Sequence, residues 1–209
     1  MINDNLYLII FFLVSYLLGS FPTAYLVAKK FSGQDIRKVG TGNVGAMNVQ
    51  RATGKFYLFL LTFLVDAAKA VLAISIPKWF AYLGYNLNLA ITVAAFGAVL
   101  GHCFSIFLKF KGGKAIASLI GILAVLDFQW LFLPWGGVCL IFLLPTGYLF
   151  LGQFMGTIFL PFIGYLLDPE YFWLCLLVAI PIFIKQWSRF IPMLQGKEPR
   201  WYWKLPKKQ

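Results

Sequence analysis

Long apolar stretches alternate with short polar segments along the whole chain, and this alternation predicts helices that cross a membrane. A spanning helix needs about 20 mainly apolar residues. The polar interruptions delimit seven candidate spans, at residues 5–28, 56–76, 87–108, 115–127, 130–147, 153–167 and 171–185. The fourth, sixth and seventh are short, so five or six spans remain possible. We therefore expect an all-α, polytopic membrane bundle of about seven transmembrane helices, in which residues 1–209 form a single integral-membrane domain.

Composition excludes the ordinary soluble classes of protein. Apolar residues make up 61% of the chain and charged residues 12%, whereas a soluble domain is about half apolar and about a quarter charged. The three Cys lie at wide spacings in apolar stretches, and there is a single His. A disulfide framework or a multi-His metal centre is therefore not expected. We predict no metal and no cofactor.

Basic residues set the expected orientation. All but two of the 18 Lys and Arg residues fall in the 29–55 loop, the 109–114 segment and the tail from residue 185. These segments lie on one side of the predicted spans, and the positive-inside rule makes that side the cytoplasm. The N-terminus is then outside and the C-terminus inside, and the net charge of +11 needs no nucleic-acid partner. The aromatic and basic tail at 198–204 is expected at the membrane interface.

The second predicted span contains an acidic and a basic residue, Asp66 and Lys69. Their spacing places both on one face of the helix. Charge in lipid is costly, so the pair should face the bundle or a wet cavity. It is either an internal structural pair or a support for a polar site, and the sequence leaves both open.

A glycine-rich segment at residues 39–51 is the first candidate for chemistry. Gly40, Gly42 and Gly45 permit positive φ and a close backbone approach to a ligand. Amide N–H groups in such a turn form an anion-binding nest. Further donors follow in the same segment: Thr41, Asn43, Asn48 and Arg51. We predict a phosphate site here, the alternative being a flexible cytoplasmic loop.

A second segment again combines glycine with cations: Lys111, Gly112, Gly113 and Lys114. It directly precedes an apolar run, so it should lie at a helix N-terminus, where N–H groups and the helix dipole favour phosphate. The alternative is that these lysines only follow the positive-inside rule and bind no ligand. His102 lies toward the same end of the third span, and its role is structural or functional.

A proline marks the first span. Pro22 should kink the helix and free backbone carbonyls. Ser20, Thr23 and Tyr25 then either face a polar cavity or serve close helix packing.

Together, the segments Gly19-Ser20 with Pro22, Gly40–Asn48 with Arg51, and Gly-His with Lys-Gly-Gly-Lys resemble the acyl-phosphate:glycerol-3-phosphate acyltransferase family of bacterial inner-membrane enzymes. The resemblance covers essentially the whole chain. It implies transfer of an acyl chain from acyl phosphate to the 1-hydroxyl of glycerol 3-phosphate, giving lysophosphatidate in the first step of phospholipid synthesis. It also implies a seven-helix fold, a multi-pass enzyme with a cytoplasmic active site, and contact with membrane lipids but no obligatory protein partner.

The resemblance also assigns residues. The catalytic candidates are Ser20, Arg51, His102 and Lys114. The phosphate- and substrate-binding candidates are Gly40, Thr41, Gly42, Asn43, Gly45, Asn48, Arg51, Lys111, Gly112, Gly113, Lys114, Gln186 and Arg189.

Several positions depart from the family pattern. Met47, Ser105 and Lys109 stand where Thr, Pro and Gly are usual, and the 146–152 hairpin lacks the usual serines. Gln186 falls at the family His, and glutamine cannot carry a proton between partners. A divergent paralogue that binds a phosphate ligand with weak or no catalysis is therefore a second hypothesis. A transporter of an organophosphate is a third.

Overall fold

The structure, a computed structural model, describes residues 4–197, and every regular element within that range is helical. The α-helices are α1 Asp4–Ser20, α2 Thr23–Ser32, α3 Ala46–Thr53, α4 Phe56–Trp79, α5 Leu87–Cys103, α6 Ile116–Leu126, α7 Leu133–Thr146, α8 Leu149–Leu167, α9 Pro169–Trp187 and α10 Phe190–Leu194. Short 3₁₀ turns lie at Ile36–Lys38, Ala81–Leu83 and Ile106–Leu108, and a π turn lies at Phe128–Phe132.

Six helical segments in the described range are long and apolar enough to cross a membrane. The all-helical, multi-pass membrane prediction is thus confirmed. The sixth and seventh predicted spans are longer than expected because α8 begins at Leu149 and α9 at Pro169. The fourth stays short: α6 has 11 residues, a rise of about 16 Å. The predicted interfacial tail lies outside the described residues.

The chain divides into two compact units, one ending at Leu126 and the other beginning at Asp127. In the first unit, α1 packs along α5, and α4 packs against both α5 and α6. In the second unit, α8 packs between α7 and α9. The expectation of a single domain stays a prediction.

Glycines allow α1 and α5 to approach each other closely. A Cβ on Gly97 would lie 2.8 Å from the Phe12 carbonyl oxygen, and one on Gly101 would collide with the Tyr16 carbonyl. Small residues at such contacts are typical of helix packing in membranes, where apolar lipid supplies no hydrophobic force between helices.

The first span is broken, not merely kinked. α1 ends at Ser20 and α2 begins at Thr23, on either side of the Phe21–Pro22 pair. Proline has no N–H to continue the helix. At the break, the Phe21 carbonyl accepts the Thr23 N–H at 3.0 Å and a second hydrogen bond from Lys69 Nζ at 2.9 Å. The Ser20 carbonyl accepts from Ser105 Oγ at 2.5 Å. The predicted release of backbone carbonyls is therefore present, and each has a specific donor.

We expect Gly97→Ala to destabilise the protein, because the added methyl meets the backbone of α1. Overpacking typically costs about 1–3 kcal/mol, equivalent to a melting temperature lower by several degrees for a chain of about this size. Thermal unfolding in detergent measures the change. Gly136→Ala is the matched control, since a Cβ at Gly136 has no atom of the described residues within 4 Å. Equal melting temperatures for the two variants would contradict the packing argument.

Candidate functional site

The first glycine segment forms an ordered loop between α2 and α3. Gly40 and Gly42 have φ of +56° and +69°, and the Gly42 N–H closes a turn by donating to the Val39 carbonyl at 2.9 Å. Gly45 is different: its φ of −161° is extended, and it precedes α3 as the N-cap. The expectation of positive φ thus holds at Gly40 and Gly42 and is wrong at Gly45, which the chain uses to begin a helix.

Asn48 holds this loop together from inside. Its side chain is fully buried. Nδ2 donates to the carbonyls of Ile36, Val39 and Asn43 at 2.9–3.0 Å, and Oδ1 accepts the Thr41 N–H at 3.2 Å. Asn48 thus has a scaffolding role, because the loop itself occupies both polar atoms of the amide; its contribution to phosphate binding stays a prediction.

The other candidates of this loop lie around that scaffold. Thr41 and Asn43 are half-buried, and Arg51 is exposed in the last turn of α3. The Arg51 side chain passes over Gly40, where a Cβ would be 3.3 Å from Arg51 Cδ. A bulkier residue at position 40 would therefore displace both Asn48 and Arg51.

An ion pair that the sequence analysis did not identify fixes the start of the loop. Arg37 donates from Nε and Nη2 to the two carboxylate oxygens of Asp35, with the shortest contact at 2.6 Å. This guanidinium lowers the pKa of Asp35 to about 2. The depressed pKa means that the ion pair stabilises the loop above the ordinary pKa of an Asp and is lost only as the pH falls through about 2. Arg37 is thus occupied within the loop.

The second glycine segment packs against the end of α5. The Gly113 N–H donates to the His102 carbonyl at 3.0 Å, and a Cβ on Gly112 would collide with that same carbonyl. Positive φ occurs at neighbouring residues instead, at Lys109, Phe110 and Ala115. The two glycines are needed for close contact, not for left-handed backbone.

The two glycine segments touch each other at Gly113. A Cβ there would collide with the Val44 carbonyl of the first segment and lie 2.5 Å from His102 Nε2. A small polar cavity opens at this contact, lined by Ser20, Val44, His102, Gly112 and Gly113 among others. The structure thereby brings together residues from three separate sequence motifs.

The remaining candidates of the first unit lie near this cavity with different exposure. Lys114 is half-buried and Lys111 exposed, just before α6 begins at Ile116. Ser20 is fully buried, and its hydroxyl oxygen lies 3.4 Å from the Gly101 carbonyl oxygen. Ser20 therefore serves helix packing and lines the cavity at once, so the two alternatives offered by the sequence do not exclude each other.

Sequence reasoning assigned no role to two buried serines beside the cavity, Ser105 and Ser118. Ser105 binds the broken end of α1, and Ser118 lies 3.4 Å from His102 Nδ1. The available signal was a single hydroxyl within an apolar run, and polar residues inside a membrane usually face a partner.

Gln186 and Arg189 belong to the second unit. Gln186 is fully buried near the end of α9, and its Nε2 donates weakly to Thr157 Oγ1 at 3.5 Å. Arg189 is half-buried directly after that helix. In the 146–152 hairpin, Thr146 Oγ1 accepts the Tyr148 N–H at 3.3 Å and so stabilises the turn. The contribution of Gln186 and Arg189 to phosphate binding stays a prediction.

Among residues 4–197, no group of three or more His, Cys, Asp and Glu side chains is arranged to hold a metal ion. The polar chemistry of the site is that of backbone amides, hydroxyls, an imidazole and cations.

A family model for glycerol-3-phosphate acyltransferases matches residues 9–196. The chain belongs to this family. The match includes both glycine segments and the stretch around Gln186, so the resemblance inferred from the motifs is confirmed.

Named relatives are similar to this chain over nearly its whole length. A glycerol-3-phosphate acyltransferase of Prochlorococcus marinus (strain MIT 9312) is 35% identical, over 92% of this chain and 96% of the relative. One of Wolbachia sp. subsp. Brugia malayi (strain TRS) is 37% identical, over 90% and 96%. The crystal structure of PlsY (YgiH), an integral membrane glycerol 3-phosphate acyltransferase, in its glycerol 3-phosphate form is 28% identical with a TM-score of 0.79, over 92% of this chain and 94% of that chain.

We expect Gly42→Ala to weaken glycerol 3-phosphate binding, because its Cβ would lie 3.1 Å from the Arg37 carbonyl in addition to straining the backbone. Gly54→Ala is the matched control: its φ of +70° imposes the same strain of about 1–2 kcal/mol, but a Cβ there meets no described atom within 4 Å. Isothermal titration with glycerol 3-phosphate measures affinity for both. An equal loss of affinity in both variants would mean that glycerol 3-phosphate binding does not depend specifically on the conformation of the loop around Gly42.

Proposed function

We propose that this protein transfers an acyl chain from acyl phosphate to the 1-hydroxyl of glycerol 3-phosphate. The observation that carries the proposal is the meeting of the two glycine segments at Gly113, beside His102, in a member of the glycerol-3-phosphate acyltransferase family. Both substrates carry phosphate, and backbone amides beside cations are suited to bind it.

The reaction requires little of the protein beyond the positioning of its two substrates. Acyl phosphate is a mixed anhydride, so its phosphate is a good leaving group. The 1-hydroxyl oxygen forms a bond to the acyl carbon, the bond from that carbon to the phosphate oxygen breaks, and the hydroxyl proton ends on the released phosphate. Holding the two substrates together and neutralising phosphate charge supply the main catalytic gain.

Most candidates have a role in this scheme. Arg51 and Lys114 neutralise phosphate charge. Backbone amides come from Gly112 and from the 40–45 turn, except those of Thr41 and Gly42, which donate within the loop. Gln186 cannot move a proton, so a phosphate oxygen of a substrate accepts the proton of the attacking hydroxyl. The named relatives do not favour the alternative of a non-catalytic binding protein.

We further propose that the protein lies in the bacterial inner membrane with both glycine segments at the cytoplasmic face. The clustering of Lys and Arg in those segments supports this orientation.

Purified protein given acyl phosphate and glycerol 3-phosphate is expected to release inorganic phosphate and form lysophosphatidate. Lys114→Ala should lower the rate by about 10²-fold or more, since removing one group that stabilises transition-state charge typically costs that much. Lys109→Ala is the control, because Lys109 is an exposed cation of the same loop. Acyl-CoA in place of acyl phosphate should give no product. Equal rates for the two lysine variants would contradict the assigned role of Lys114.

A cytoplasm-dependent reporter fused after Gln209 is expected to be active in cells, because the basic segments should lie inside. The matched fusion uses a reporter that works only outside the cytoplasm and should be silent. The opposite pair of signals would reverse the proposed orientation.

A further inference from the structure

Four polar side chains from three helices form a buried cluster next to the cavity: Asp66 and Lys69 of α4, His102 of α5 and Ser118 of α6. None of them is more than 9% exposed. Buried polar groups in a membrane helix bundle require partners, and here each supplies one to the next.

The Ser118 hydroxyl favours a proton on one of the two ring nitrogens of His102. Ser118 Oγ donates to the Asp66 backbone carbonyl at 3.1 Å and lies 3.4 Å from His102 Nδ1. A serine hydroxyl has a single proton. When that proton is donated to the Asp66 carbonyl, the oxygen is left to accept from the ring, and this arrangement favours a proton on Nδ1.

The Asp66 carboxylate favours the same arrangement. Its Oδ1 lies 3.8 Å from His102 Nδ1, which is too far for a hydrogen bond but close enough for charge to attract the Nδ1 proton. Lys69 Nζ holds that oxygen at 2.8 Å and donates to the Phe21 carbonyl at 2.9 Å. The carboxylate is therefore fixed in place and its charge is balanced.

The other ring nitrogen, Nε2, faces the second glycine segment. A Cβ placed on Gly113 would lie 2.5 Å from this nitrogen. The Gly113 N–H also donates to the backbone carbonyl of His102. The orientation of the ring and the conformation of the turn are thus coupled through a single residue.

We propose that Ser118 and Asp66 are positioning residues that keep the proton of His102 on Nδ1, so that Nε2 is the ring atom that accepts a hydrogen bond from a hydroxyl group of glycerol 3-phosphate bound at the Gly112–Gly113 turn. The inference rests on the proposed function, which assigns phosphate binding to this turn. His102 contacts the substrate, and Ser118 and Asp66 act through it.

Nitrogen NMR tests the proton position directly. His102 is the single His of the sequence, so protein labelled with ¹⁵N-histidine and purified without a polyhistidine tag gives the signals of one imidazole. We expect the neutral tautomer with a protonated Nδ1 and a bare Nε2. A bare Nδ1 with the proton on Nε2, or an imidazolium with both nitrogens protonated, would overturn the proposal. In Ser118→Ala, the bare-Nδ1 form should become populated.

A double-mutant cycle tests the functional part. Ser118→Ala should lower kcat/KM for glycerol 3-phosphate about three- to tenfold, the usual effect of one lost hydrogen bond, and should cause no further loss in a His102→Gln background. If turnover is lost there, the Kd for glycerol 3-phosphate is compared instead. Equal losses in both backgrounds would mean a structural role only and would overturn the proposal.

Ser75→Ala is the control for hydroxyl removal, because Ser75 Oγ donates within its own helix to the Val71 carbonyl at 2.8 Å. It should leave kcat/KM unchanged. The two proposals fail separately: absence of phosphate release by the wild-type protein would contradict the proposed function, whereas the NMR result decides the position of the proton independently of turnover.

Discussion

The first unit depends on how the chain satisfies the broken end of its first span. A proline at position 22 leaves backbone carbonyls without helical donors, and in a membrane such groups cost several kcal/mol each unless they find partners. Lys69 binds the Phe21 carbonyl, and Ser105 binds that of Ser20. Because Lys69 brings a charge into the bundle, Asp66 must accompany it, and the buried ion pair is thus a consequence of the break.

The same break explains why the cavity forms where it does. An unbroken helix through residues 21–22 would have no free carbonyls to attract Lys69, and Asp66 would then lack its counter-charge. Asp66 in turn lies near His102, whose backbone carbonyl binds the Gly113 N–H. A continuous set of contacts therefore runs from the break between α1 and α2, through α4 and α5, to the glycine turn before α6.

The sequence predicted the helices, the proline break and the glycine segments because each depends on local chemistry: apolar run length, a missing N–H and the freedom of glycine. It did not predict the purpose of individual residues where that depends on distant contacts. Asn48 was expected to face a ligand, yet it holds carbonyls up to 12 positions away in the chain. Gly113 was expected to offer its N–H to phosphate at a helix N-terminus, yet that N–H donates to the His102 carbonyl, and Val44 and His102 lie against the glycine. The sequence did not indicate a role for Ser118, because the groups that its hydroxyl contacts belong to two other helices.

The departures from the family pattern in the second motif fall on residues that support the turn. Ser105 has a φ of −60°, which proline would also adopt, and its hydroxyl adds a bond to Ser20 that proline could not make. Lys109 has a φ of +53°, a conformation that costs a residue with a Cβ about 1–2 kcal/mol and glycine almost nothing. One substitution thus adds a contact and the other adds strain, while Gly112, Gly113 and His102 beside the cavity are retained. Divergence in this motif has changed how the turn is held and has kept the two glycines and the histidine that line the cavity.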